Sequence, residues 1–125
     1  MINYILISLG AAIGGALRYG LSSYVNKSQS SIFPTGTLLV NVLGSFVLGI
    51  IMFYLSEKEI IGNEFRLFLS VGLCGGFTTF STFSYETLML FRDSEFSLAA
   101  YNILLNVVFS LLGIYLAYLI SKLIG

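Results

Sequence analysis

The chain contains no histidine, one cysteine and one proline, and only 10% of its residues are charged. Without histidine it lacks the commonest metal ligand and the side chain that exchanges protons most readily near neutral pH. Cys74 alone cannot form an intramolecular disulfide. A formal net charge of zero offers nothing to attract nucleic acid. These absences exclude histidine metal centres, disulfide scaffolds and basic nucleic-acid-binding domains.

Enzyme signatures are missing as well. Neither the phosphate-binding GxxxxGK[ST] loop nor the zinc-binding HExxH motif occurs. A serine nucleophile needs a general base, which here would have to be a lysine or glutamate, and most of these lie between the apolar segments. We therefore expect no enzyme activity.

What the chain has in abundance is apolar residues, at 57% of the total with a mean hydropathy of +0.94. A soluble domain carries about 25% charged residues, so lipid is the expected solvent here. Several windows reach the roughly 20 apolar residues that a helix needs to span a bilayer. The first has no basic segment before it and no cleavage site, so we expect it to be retained. The prediction is one all-α membrane domain over residues 1–125, with four spans at about 3–25, 36–55, 65–91 and 97–121.

Basic residues near the span ends do not favour one orientation. The positive-inside rule places the side richer in lysine and arginine in the cytoplasm. The two sides carry three basic residues each, namely Lys58, Arg66 and Lys122 against Arg18, Lys27 and Arg92. Two interpretations remain open: weak topology information, or insertion in both orientations and pairing of a copy with its inverted self.

Polar side chains recur at helical spacing inside two spans. They are Thr37, Asn41 and Ser45 in the second span, and Asn102, Asn106 and Ser110 in the fourth. A buried amide without a partner costs several kcal/mol, so each must be satisfied. Hydrogen bonding between helices is one interpretation. We favour a route lined for water or ions, because the stripes occur on separate spans.

The third span contains the segment GLCGGFTTFSTFSYE, which is rich in glycine and hydroxyl side chains. Close packing through GxxxG pairs explains Gly72 with Gly76 and Gly10 with Gly14. Each glycine weakens the helix by about 1 kcal/mol relative to alanine. The Gly75-Gly76 pair followed by two threonines therefore predicts a local break. Carbonyls freed there need a partner, and a cation such as Na⁺ can supply it.

Aromatic and charged side chains within the spans have two interpretations each. Phe77, Phe80 and Phe83 pack in the core or against lipid, or turn their positive ring edges toward an anion. Arg18 and Glu86 are charges inside spans and therefore functional candidates. Arg18 alternatively snorkels or forms an internal ion pair. Glu86 alternatively serves as the proton-linked carboxylate of a coupled transporter.

Three motifs together resemble one known family. GGALRYG at 14–20, GTLLVNVLGSF at 36–46 and above all GFTTFSTFSYE at 76–86 are similar to the signatures of the Fluc-type fluoride channels, the CrcB family. The resemblance extends over length, number of spans and motif order. It implies an antiparallel, dual-topology homodimer with two narrow fluoride pathways. It also implies a structural Na⁺ at the dimer centre, held by backbone carbonyls where the third helix is broken at mid-membrane.

The resemblance further implies roles for individual residues. Gly75 and Thr78 of each subunit are expected to hold the Na⁺. The expected pathway residues are Asn41, Phe80, Ser81, Thr82, Phe83, Asn106 and Ser110. Arg18, Glu86 and Asn102 are further candidates from the resemblance, and Thr37 is a further candidate from the polar stripe of the second span.

The expected function is passive, fluoride-selective export across the bacterial cytoplasmic membrane, with fluoride, lipid and a second copy as partners. A small four-span, proton-coupled multidrug exporter is the alternative. That class needs a membrane-embedded carboxylate, whereas the first span offers Arg18 and no acid. A subunit that assembles with another protein and transports nothing is a third hypothesis.

Overall fold

A computed structural model describes residues 1–125, which form helices and turns without a β-strand. The long helices are α1 (Ile2–Lys27), α2 (Thr35–Ile50, continued by π-helical Ile51–Ser56) and α6 (Phe96–Ile124). The third segment, Asn63–Arg92, consists of α3 (Asn63–Leu67), π-helical Phe68–Cys74, α4 (Gly75–Phe77) and α5 (Phe80–Arg92). By length and composition, four helices are able to cross a membrane. The predicted all-α class with four helices of spanning length is confirmed.

Short turns join these helices. Pro34 directly precedes α2, where its fixed φ and missing N–H are tolerated. After α5 the chain reverses through Ser94, whose φ is 61°. There the Glu95 N–H donates to the Leu90 carbonyl at 2.8 Å, which satisfies one of the last carbonyls of the helix. Such tight connections keep successive helices side by side.

Glycines allow α1 and the third segment to pack backbone against backbone. A Cβ at Gly72 would lie 2.8 Å from the Ile7 carbonyl oxygen, and one at Gly76 would lie 2.6 Å from that of Ala11. No side chain fits at either position, as expected for a GxxxG packing face. Gly75 differs, because the nearest atom to its Cβ position is 3.9 Å away. Its surface is therefore open.

The single chain buries little of itself. Only 19 of its 125 residues are buried, and the largest fully buried side chains are those of Val40 and Asn102. Large apolar residues such as Phe80 and Leu111 are 77% and 62% exposed. A surface this apolar fits lipid or another protein surface rather than water. The chain is a multi-pass membrane protein.

Candidate functional site

A cavity of about 510 Å³ lies between α2, α6 and the third segment. The predicted site residues that line it are Asn41, Gly75, Thr78, Phe80, Phe83, Asn106 and Ser110. Further polar lining comes from Ser45, Ser70 and Thr79, and no charged side chain contributes. The wall therefore offers amides, hydroxyls and aromatic rings but no fixed charge.

The helical backbone of the third segment is interrupted beside this cavity. Thr78 and Thr79 are extended, with φ/ψ of −92°/160° and −152°/119°. The Thr79 hydroxyl accepts the Thr82 N–H at 3.1 Å and so caps the start of α5. The Thr78 hydroxyl donates to the Cys74 carbonyl at 3.0 Å. The two threonines thus end one helical stretch and begin the next.

The interruption redirects a backbone donor. In a continuous α-helix the Thr79 N–H would donate to the Gly75 carbonyl four residues earlier. Here it donates to the Asn41 Oδ1 at 2.8 Å instead. The Gly75 carbonyl oxygen consequently loses its helical partner at the cavity wall.

Asn41 joins α2 to the interruption with its whole side chain. Besides accepting from the Thr79 N–H, its Nδ2 donates to the Thr79 carbonyl at 3.2 Å and to the Asn106 Oδ1 at 2.9 Å. Both amide hydrogens are therefore engaged. A side chain predicted to line a pathway also holds the backbone of that wall in place.

Hydroxyl groups without a partner remain in the cavity. The other lining hydroxyls are paired, those of Ser70 and Thr78 to carbonyls and that of Thr79 to Thr82. The half-buried Ser45 and Ser110 form no hydrogen bond with the chain. Their O–H groups are the donors most available to an ion or to water.

Two phenylalanines form the aromatic part of the wall. The ring centroids of Phe80 and Phe83 are 5.4 Å apart, with 49° between the ring planes. Phe83 is 8% exposed, whereas Phe80 is 77% exposed. Phe80 therefore lies at the outer edge of the cavity and Phe83 within the chain.

Comparison with known proteins shows the family of the chain. Residues 5–118 match the family described as CrcB-like protein, Camphor Resistance (CrcB). The chain belongs to the CrcB family. It is 43% identical to the fluoride-specific ion channel FluC of Methylocella silvestris, over 95% of this chain and 92% of the relative.

Other CrcB-family relatives give the same result. The FluC proteins of Ruminiclostridium cellulolyticum and Shewanella oneidensis, both named fluoride-specific ion channels, are 41% and 46% identical to the chain. The alignments cover 100% and 93% of this chain and 96% and 93% of those relatives. Family membership, predicted from the three motifs, is confirmed.

In this CrcB-family chain, Arg18 contacts α4, just before the interruption, and does not line the cavity. Its Nε donates to the Gly76 carbonyl at 3.1 Å, and its side chain is half-buried. The ion pair that the structure contains joins exposed Arg92 and Asp93 at 3.9 Å. Arg18 thus supplies a donor to a carbonyl just before the interruption.

Glu86 lies away from the first cavity. It lines a second cavity of about 320 Å³, together with Asn26 and Gln29 near the end of α1 and Asp93 after α5. One carboxylate oxygen, Oε1, is buried without a hydrogen-bond partner. Thr37, another candidate, is 3% exposed and lines neither cavity.

The remaining candidates lie outside the cavity wall. Ser81 is exposed, with its hydroxyl 3.3 Å from that of Thr79, and Thr82 accepts from the same hydroxyl at 3.1 Å. Asn102 is fully buried behind the wall.

Ser45 was predicted as part of the polar stripe on the second span but without a role of its own, and the polar lining residues Ser70 and Thr79 were not among the predicted site residues. The spacing that placed Ser45 on this stripe is one helical turn after Asn41. Thr79 was detectable as an N-cap residue before an apolar helix.

Proposed function

We propose that the chain forms a passive, fluoride-selective channel that lets fluoride leave the bacterial cytoplasm. The observation that carries the proposal is the cavity of about 510 Å³, whose wall has hydrogen-bond donors but no charge. The relatives' names support fluoride as the ion.

The chemistry of this wall suits a strongly hydrated anion. A selective pathway must replace water with protein donors, yet bind weakly enough to release the ion. The free hydroxyls of Ser45 and Ser110 can donate, and the ring edges of Phe80 and Phe83 add weak positive potential. A lysine or arginine in the same position would hold the anion more tightly. Lacking a nucleotide-binding loop, the chain moves the ion down its electrochemical gradient.

The functional unit in this proposal is an antiparallel, dual-topology homodimer. One chain leaves the cavity edge open at Phe80, which is 77% exposed. The open surface at Gly75 supports an approach of a second copy to the interruption. The equal division of basic residues between the two sides supports insertion in both orientations. Two copies related in this way would provide two pathways.

A structural Na⁺ at the dimer centre is part of the proposal. Backbone carbonyls at helix interruptions are suitable Na⁺ ligands in membrane proteins. The Gly75 carbonyl, deprived of the Thr79 N–H, and the neighbouring extended Thr78 fit such a site. Carbonyls from two subunits would supply oxygen ligands and no charge. The break in the third helix would then lie at mid-membrane.

The multidrug-exporter alternative has less support. Such an exporter needs a carboxylate in its transport cavity to exchange protons for a cation. The first cavity has no acidic residue, and Glu86 lines the second one. The relatives' names also favour a channel.

The decisive experiment is ion flux from liposomes that contain the purified chain. We expect fluoride to leave at least about a hundredfold faster than chloride, since uncharged donors in a narrow wall favour the smaller anion. Protein-free liposomes are the control. Chloride efflux as fast as fluoride efflux, or uptake of a lipophilic cation driven by a proton gradient, would contradict the proposal.

A further inference from the structure

A chain of hydrogen bonds leaves the cavity wall and runs through α6 to α5. Asn106 accepts from Asn41 and donates through its Nδ2 to the Asn102 backbone carbonyl at 2.9 Å and to the Asn102 Oδ1 at 3.0 Å. The Asn102 Nδ2 donates to the Thr87 Oγ1 at 2.9 Å. The Thr87 hydroxyl donates to the Phe83 carbonyl at 2.7 Å. Four side chains on three helices thus form one connected network.

The network has a single direction of donation, because both of its ends are backbone groups: the N–H of Thr79 at one end and the carbonyl of Phe83, to which Thr87 donates, at the other. A backbone N–H only donates and a carbonyl only accepts, so the amide of Asn41 can face Thr79 in one orientation. Its remaining N–H then requires an oxygen from Asn106. That in turn directs the Asn106 NH₂ toward Asn102. Rotating any one of these side-chain amides by 180° would make its NH₂ group face another donor and its oxygen face another acceptor.

Burial makes this direction costly to reverse. Asn102, Asn106 and Thr87 are 0%, 6% and 7% exposed. Groups this buried have little water to pair with, so an unpaired N–H or oxygen carries most of its desolvation penalty. The orientation of each amide therefore depends on the next partner in the chain.

We propose that Asn102 and Thr87 are positioning residues for the ion pathway. They set the orientation of the Asn106 amide, which sets that of Asn41, which holds Thr79 extended at the cavity wall. Asn102 therefore acts behind the pathway and is not one of its donors. The consequence for ion flow rests on the proposed channel function, whereas the effect on Thr79 does not.

The test measures amide hydrogen exchange at residues 77–82 and fluoride efflux for the same variants. Asn102→Ala removes the central amide, and Thr87→Val replaces the hydroxyl with a methyl group of similar size. Thr87→Ser keeps the hydroxyl and is the conservative control. Ser121→Ala is a matched control, because Ser121 is 3% exposed and its hydroxyl donates to the Ala117 carbonyl outside the network.

We expect Asn102→Ala and Thr87→Val each to raise exchange at the Thr79 amide and to lower fluoride efflux, both by about tenfold, because each leaves a buried polar group unpaired. Thr87→Ser and Ser121→Ala should match the unmodified chain in both measurements. The double variant should differ little from Asn102→Ala alone, since Thr87 acts through Asn102.

Unchanged exchange at Thr79 in both single variants would overturn the inference. Equal acceleration in Ser121→Ala would do the same, as would fully additive effects in the double variant. An unmodified chain that releases no fluoride would instead contradict the proposed function. In that case the exchange data still decide the positioning role. Because Thr87→Val is nearly isosteric, the test does not depend on Asn102→Ala folding.

Discussion

At the scale of single residues, the amides and hydroxyls of the cavity have different tasks. Asn41 uses its oxygen and both of its amide hydrogens to hold Thr79 and Asn106. Ser45 and Ser110 contribute hydroxyls that no protein group engages. A wall held by paired amides can present free hydroxyls in a constant geometry. Such preorganisation lets a narrow pathway discriminate between anions.

The substitution Asn41→Asp tests the role of Asn41 in the cavity wall. Aspartate keeps an acceptor for the Thr79 N–H but loses both donors and adds a negative charge to the wall. We expect fluoride efflux from liposomes to fall at least about tenfold, since an anion is repelled and a buried bond is lost. Asn63→Asp makes the same chemical change on the exposed first turn of α3 and should leave efflux unchanged. Normal fluoride efflux from the Asn41→Asp variant would contradict the assignment of Asn41 to the pathway.

At the scale of elements, the third segment departs from a regular α-helix in two places, a π-helical stretch and a pair of extended residues. A π-helical stretch at Phe68–Cys74 precedes α4, and two extended threonines follow it. Irregular backbone at membrane depth is tolerated where other groups satisfy it or where it lines a cavity. Asn41 and Arg18 do so here from the neighbouring helices α2 and α1. Bonds from neighbouring helices thus replace those lost by the Thr79 N–H and the Gly76 carbonyl, whereas the Gly75 carbonyl receives no replacement.

Replacing Na⁺ tests the proposed cation site at this element. Exchange of Na⁺ for a much larger organic cation at equal ionic strength should lower fluoride efflux at least about tenfold or dissociate the dimer, because a ligand that binds the assembled state stabilises it. The measurements are efflux and the oligomeric state in detergent. Exchanging the external anion while Na⁺ is kept is the control. If neither the rate of fluoride efflux nor the stability of the dimer changes with the cation, the proposed Na⁺ site is contradicted.

At the scale of the whole molecule, a single chain does not bury most of its own apolar surface. Its apolar side chains are largely exposed, and few residues form a core of its own. Lipid covers part of that surface, and in our proposal an inverted second copy covers the part around Gly75 and Phe80. Balanced basic residues on the two sides remove the signal that would otherwise favour one orientation.

Two-sided labelling tests dual insertion. Single cysteines are introduced at exposed positions in successive connections, Ser28→Cys in one protein and Glu57→Cys in another. In cells treated with a membrane-impermeant thiol reagent, about half of each population should react from outside, since no charge bias selects one orientation. The unmodified chain is the control, because its Cys74 is buried. Labelling of only one of the two variants would show a single orientation.

Sequence alone was sufficient for the class of protein, the four helices of spanning length and the family. Each depends on local information: the length of an apolar run, the spacing of glycines and a contiguous motif such as GFTTFSTFSYE. Helical spacing also identified Asn41, Asn106 and Ser110, which line one cavity. The pattern could not separate Asn102 from them, because all these residues lie on polar stripes and only helix packing decides which reach the cavity.

The tertiary structure alone decided how the polar groups are paired. In the folded chain the Asn41 amide faces Thr79, and Arg18 donates to the Gly76 carbonyl. Asn102 is buried behind the cavity wall, whereas the hydroxyls of Ser45 and Ser110 in that wall have no partner. Sequence spacing specifies the face of a helix on which a side chain lies. A hydrogen bond across helices depends in addition on which faces meet, at what depth, and which donors are already engaged.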